Sequence, residues 1–137
     1  MWAFYAVLSA LFASLTAILG KIGVREVDST LATAIRTIFV LLMAWGMVFI
    51  TGAQSGIRGI GGKSFLFLVL SGFATGASWL FYYKALSAGT VAKVVAIDKF
   101  SLVLTFVLAA LFLGEKLTLK TLLGGLLITL GTLIVAL

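Results

Sequence analysis

The chain has 137 residues, 63% of them hydrophobic and only 10% charged, with a mean hydropathy of +1.29. A soluble domain of this length needs a far more polar surface, so a water-soluble core is excluded. The net charge of +6 comes from Lys and Arg scattered singly or in pairs between apolar runs, which orients helices in a bilayer and does not grip nucleic acid.

The lack of Cys and His removes disulfides, thiolate chemistry, the usual zinc and haem ligands and the commonest general base. No metal site and no cofactor is expected, and the inventory argues against an enzyme. Pro is also absent, so no helix carries a proline kink.

Five apolar runs are long enough to span a membrane, at about 2–20, 30–51, 64–86, 91–113 and 120–137. The expected fold is therefore an all-α integral membrane protein, a single five-helix domain over 1–137 whose solvent is the lipid bilayer. The first run, Trp2–Gly20, is free of charge, and Trp2 and Tyr5 at its start suit the headgroup level. Nothing basic precedes it and four more spans follow, so it reads as a retained helix, not a cleaved signal. Lys21, Arg25, Glu26 and Asp28 form the first loop, and Ser29 or Thr30 is placed to cap the second helix.

The second span carries one interior charge, Arg36. A guanidinium there belongs near the membrane edge or against an acid. Gly52–Lys63 is rich in glycine and reads as a flexible basic loop. In the third span Gly72 and Gly76 give a flat surface for close helix packing, and the run ends in Trp79, Phe81, Tyr82, Tyr83 and Lys84. Gly89 is the expected C-cap of that helix. In the fifth span Gly124, Gly125 and Gly131 lie near one face and suit helix contact.

The fourth span holds the most informative stretch. The uncharged run Phe100–Gly114 is about 22 Å long as helix, shorter than a hydrocarbon core of about 30 Å. To cross, the helix must extend back through Lys99 and Asp98, which places that pair about 5–10 Å inside the membrane. By helical rise, Arg36 and Asp98 lie at similar depth from the same face, where the first and third spans end in Lys21 and Lys84. Lys21, Arg36, Lys84, Asp98 and Lys99 are thus expected to form a positively charged vestibule at one end of the bundle. Ser101 and Thr105 continue the Asp98 side of the helix inwards. Two readings stay open: Asp98 neutralises Arg36 or Lys84 as a structural ion pair, or Asp98 and Lys99 contact a substrate or coupling ion. Glu115 and Lys116, at the water edge, are expected to be structural, with Glu115 favouring the N-terminus of the last helix.

These residues in this order resemble one EamA-type repeat of the drug/metabolite transporter superfamily, in particular its half-size, five-span bacterial and archaeal group. The likeness is strongest from Trp79 to the end. It comprises Trp79, Tyr82, Tyr83, Lys84, Ala85 and Leu86, then Ile97-Asp98-Lys99, then Leu113-Gly114-Glu115-Lys116-Leu117, then Gly124 and Gly131. Gly20-Lys21 and Arg36 also fit the repeat. Larger members carry two such repeats in opposite orientations and move amino acids, other metabolites or drugs. The resemblance therefore implies an inverted-repeat unit needing two copies for one path, in a bacterial or archaeal cytoplasmic membrane. Many full-length members have a Pro near the position of Lys99, and this chain does not. The related small multidrug resistance proteins use an acid in the first span, and Trp2–Gly20 has none.

The expected function is a secondary transporter of a small metabolite or drug-like solute, acting as a homodimer by alternating access. Trp79, Tyr83, Asp98, Ser101 and Thr105 would line its path, with Lys99 beside them and Arg36 near the mouth. Alternatives of other classes are a lipid-headgroup carrier or flippase, and a non-transporting membrane subunit that binds a partner helix. Loops two and four carry Arg58, Lys63, Lys116 and Lys120; loops one and three carry Lys21, Arg25, Lys84 and Lys93. This balance gives almost no positive-inside bias, so an antiparallel dimer is favoured and a parallel one allowed.

Overall fold

A computed structural model describes residues 1–137. Every regular element is helical: α1 Trp2–Gly23, α2 Ser29–Thr51, α3 Gly62–Ala88, α4 Val91–Asp98, α5 Phe100–Leu113 and α6 Leu119–Ala136. Five segments are long and apolar enough to cross a membrane, with α4 and α5 together making one of them, Val91–Leu113, of 23 residues. Helices are the expected form for such runs, because in hydrocarbon every backbone N–H and C=O must find a partner within the segment.

The helix ends follow capping chemistry, with differences from what spacing predicts. Asp28 caps α2, not Ser29 or Thr30: its Oδ1 accepts from the Thr30 amide at 2.9 Å and the Leu31 amide at 3.1 Å. A carboxylate one residue earlier reaches the free first-turn amides and also meets the positive end of the helix dipole. Gly52 closes α2 in the left-handed region at φ 73°, as Gly114 closes α5 at φ 68°. Both are conformations that glycine adopts without steric cost. Gly89 is not in that region. The glycine-rich segment after α2 is not an unstructured loop, because Ala53–Gly59 winds into a 3-10 helix. Thr118 caps α6, its side chain accepting from the Thr121 amide at 3.2 Å.

The fourth span is interrupted. Lys99 separates α4 from α5 while staying right-handed at φ −66°, ψ −14°, close to 3-10 geometry. Its amide is shared between Val95 O at 3.2 Å and Ala96 O at 3.1 Å, and its carbonyl accepts from Leu102 at 3.1 Å. Neither Pro nor Gly causes the break. Thr132 Oγ1 of α6 donates to Ala96 O at 3.1 Å, and a side chain entering the i→i−4 ladder is a known cause of such interruptions.

The chain divides into two compact units. Unit 1 comprises residues 1–21 and 88–137, in which α6 packs along α4 and α5. Gly125 is where α6 and α5 come closest among the glycines of α6: a Cβ there would lie 3.4 Å from Phe106 Cδ2. Also within unit 1, Lys21 Nζ donates to Gly89 O at 2.8 Å, holding the end of α1 to the turn that leads into α4. Unit 2, residues 22–87, holds α2, the 3-10 turn and α3. Buried side chains are few, notably Ala17, Val24, Thr33, Tyr83 and Leu86. Helix surfaces elsewhere are apolar and open, as suits lipid-facing or partner-facing helices.

Candidate functional site

In unit 2, α2 presents Arg36 to the aromatic end of α3. The Arg36 Cζ lies 4.3 Å from the centroid of the Trp79 ring and 5.1 Å from that of Tyr83. Arg36 is marked in the sequence by its charge and depth and Trp79 and Tyr83 by their aromatic type, and the fold brings the three into one cluster. Tyr83 is 5% exposed and stacks edge-to-face with Tyr82 at 5.9 Å, so the aromatic floor is fixed by packing.

Seven residues of helix from Ser29 put Arg36 about 10 Å into α2. A guanidinium at the bilayer centre costs up to about 2.5–3.5 kcal/mol on the insertion scale. A ring face returns about 0.5–1 kcal/mol at an exposed site and about 2 when desolvated. The ring faces of Trp79 and Tyr83 together therefore offset a large part of the cost, although a ring face offers no lone pair to an N–H donor. The acids of the same unit are Glu26 and Asp28; Asp28 is engaged as the α2 cap, and neither reaches ion-pair distance of Arg36.

Beside this cluster along the same helix pair runs a groove of about 350 Å³ lined by Thr30, Thr33, Ala34, Thr37, Leu80 and Gly76 among others. Thr33 and Thr37 return their hydroxyl protons to the carbonyls of Ser29 at 2.8 Å and Thr33 at 2.7 Å. That leaves their oxygens as acceptors in an otherwise apolar trough. The only mark of this groove in the sequence is that Thr30, Thr33 and Thr37 recur at offsets of three and seven in an apolar run, a one-face signature. Gly76 lies on the groove wall, while Gly72, Gly124 and Gly131 have no neighbour within 4 Å of an added Cβ, and nor does Gly76.

In unit 1 the second set of singled-out residues sits at the helix interruption. Lys99 Nζ lies 4.0 Å from Asp98 Oδ2, with side-chain exposures of 59% and 42%. That is the outer limit of an ion pair between sequence neighbours, and both groups stay open at the helix surface. Ser101 and Thr105 follow on α5, where Thr105 Oγ1 donates to Ser101 O at 2.8 Å. Thr132 joins this set through its bond to Ala96 O, a residue that no local pattern marks. Lys21, assigned to the vestibule by depth, is engaged with Gly89 O. No group of three or more His, Cys, Asp or Glu side chains is disposed to hold a metal ion.

Five helices long and apolar enough to cross a membrane make this a polytopic membrane protein. The chain belongs to the EamA-like transporter family, whose model matches residues 1–137. It is 47% identical over 135 residues, 98% of this chain and 96% of the relative, to a Sinorhizobium sp. protein named "Uncharacterized transporter in cobO 3'region". No solved structure matches.

Proposed function

We propose that the chain is a half-size secondary transporter of a small metabolite or drug-like solute, working in a bacterial or archaeal cytoplasmic membrane. Its functional unit is a homodimer whose two copies, preferentially antiparallel, rock around a shared path. One observation carries this reading. Asp98 and Lys99, inside the 23-residue apolar span Val91–Leu113, have side chains that stay about half exposed. Ionisable groups at that depth face protein or a water-filled cavity, not lipid. A second copy supplies such a cavity, and a family built from paired repeats supports it. The path residues of this reading are Asp98, Lys99, Ser101 and Thr105 in the first unit and Arg36, Trp79 and Tyr83 in the second, and the open glycine faces at Gly72, Gly124 and Gly131 meet partner helices.

Solute counterflow into proteoliposomes tests the activity. Asp98→Asn and Trp79→Ala are each expected to lower counterflow at least about tenfold, the scale of one lost charge-assisted contact, while the protein still inserts and purifies. Folded variants with full counterflow would remove both residues from the path. Orientation is tested with single Cys residues at Gly56 and Ser87 in this Cys-free chain, using a membrane-impermeant thiol reagent on intact cells. The antiparallel dimer requires about half-labelling at both positions; full labelling at one and none at the other replaces it with a parallel arrangement.

A further inference from the structure

We propose that Arg36 is an anion-binding residue: its guanidinium, held on Trp79 and Tyr83, receives a carboxylate or phosphate group. That group is carried by the translocated solute, in which case the inference rests on the transporter reading, or by a lipid headgroup.

The aromatic contacts leave the hydrogen-bonding capacity of the guanidinium unused. At 4.3 Å and 5.1 Å from the two ring centroids, the cation is attracted by the ring faces. Those faces offer no lone pairs to its five N–H donors, which stand in a planar fork matched to the paired oxygens of a carboxylate or phosphate. No carboxylate of the same unit takes up that fork. Glu26 and Asp28 are the unit's acids, and Asp28 Oδ1 is committed to the Thr30 and Leu31 amides. The fork is therefore charged, pre-positioned by a buried tyrosine and free of an internal acceptor, at a depth where water is scarce. A group that completes it must bring negative charge and at least two acceptor oxygens. A purely cationic solute is repelled. A flat or apolar body attached to that anion finds the Trp79 ring beside it.

The site carries its own reporter. Replacing two of the three tryptophans by Trp2→Phe and Trp45→Phe leaves Trp79 as the single indole. The purified full chain is placed in phosphatidylcholine nanodiscs and titrated with inorganic phosphate, with succinate and with tetraethylammonium while Trp79 emission is followed. In a parallel arm, nanodiscs containing phosphatidylglycerol are compared without any soluble anion. A saturable change with phosphate or succinate identifies a solute site. A change with phosphatidylglycerol alone identifies a headgroup site.

In either arm Arg36→Gln is expected to weaken the response at least about tenfold, and Arg36→Lys about threefold or more, since an ammonium keeps the charge and loses the fork. If Arg36→Gln does not fold, Arg36→Lys decides, and unchanged anion affinity in that variant overturns the proposal. So does a chain in which no anion source perturbs Trp79, or in which tetraethylammonium acts as phosphate does. Full recovery of stability on adding Asp98→Asn to Arg36→Gln, with no anion response in the parent, would assign an ion pair in place of the anion site. Counterflow of a non-anionic solute without any anion response would leave the transporter reading standing and remove this one. An Arg36-dependent anion response with no movement of any solute would do the reverse.

Discussion

Thr132→Val isolates a single tertiary hydrogen bond inside the membrane. The substitution keeps the side-chain shape and removes the hydroxyl that donates to Ala96 O at 3.1 Å across from α6 to α4. The carbonyl is not orphaned, because Lys99 N–H also donates to it at 3.1 Å, so the full penalty of an unsatisfied buried acceptor does not apply. What is lost is one interhelical bond, which in membrane proteins averages about 0.6 kcal/mol and reaches about 1.7. The shared acceptor puts the expectation at about 0.5–1 kcal/mol, a two- to fivefold shift in the folding equilibrium.

An internal control sits one turn away in the same helix. Thr129 Oγ1 donates to Gly125 O at 2.9 Å within α6. That bond persists when helices separate but stay inserted, so Thr129→Val is expected to change stability by less than about 0.3 kcal/mol. Equilibrium unfolding in mixed micelles by SDS titration, followed by tryptophan emission, measures both. Equal effects for the two variants, or a loss above about 2 kcal/mol for Thr132→Val, would refute the reading of the Thr132–Ala96 bond as a modest interhelical contact with a shared acceptor.

Trp79→Ala removes the ring under Arg36, and a double-mutant cycle with Arg36→Gln should return a coupling of about 0.5–2 kcal/mol; zero coupling in the same SDS titration would dissolve the aromatic cage. Gly125→Leu places a branched side chain where a bare Cβ already meets Phe106 Cδ2 at 3.4 Å. It should cost about 1–3 kcal/mol, and Phe106→Ala in the same chain should recover part of that. Gly52→Ala forces a Cβ into the left-handed cap at φ 73° and should destabilise by about 1–2 kcal/mol. Gly56→Ala in the following turn, with open space around it and no positive φ, should stay within about 0.5 kcal/mol, as thermal unfolding of the two variants can check.

The presence of five membrane-length helices is readable from the chain alone because the bilayer makes it a local property. A run of about 20 apolar residues must close its own backbone hydrogen bonds wherever it ends up. The same locality makes Asp98 and Lys99 conspicuous, since a charge in hydrocarbon is costly whatever surrounds it. Cap identity is nearly local too; Asp28 takes the cap because its carboxylate reaches two free amides, one residue before the Ser29 and Thr30 to which spacing points.

Side-chain partners across helices depend on the rotation and register of each helix about its axis, which packing sets and a lipid-facing sequence barely records. Arg36 could be placed by depth, but only the docking of α2 on α3 chose Trp79 and Tyr83 over an acid as its neighbours. The threonine groove exists only between those two helices. The break at Lys99 has no Gly or Pro to announce it, and the hydroxyl that bonds to Ala96 O beside it comes from α6, distant in sequence and adjacent only in the fold.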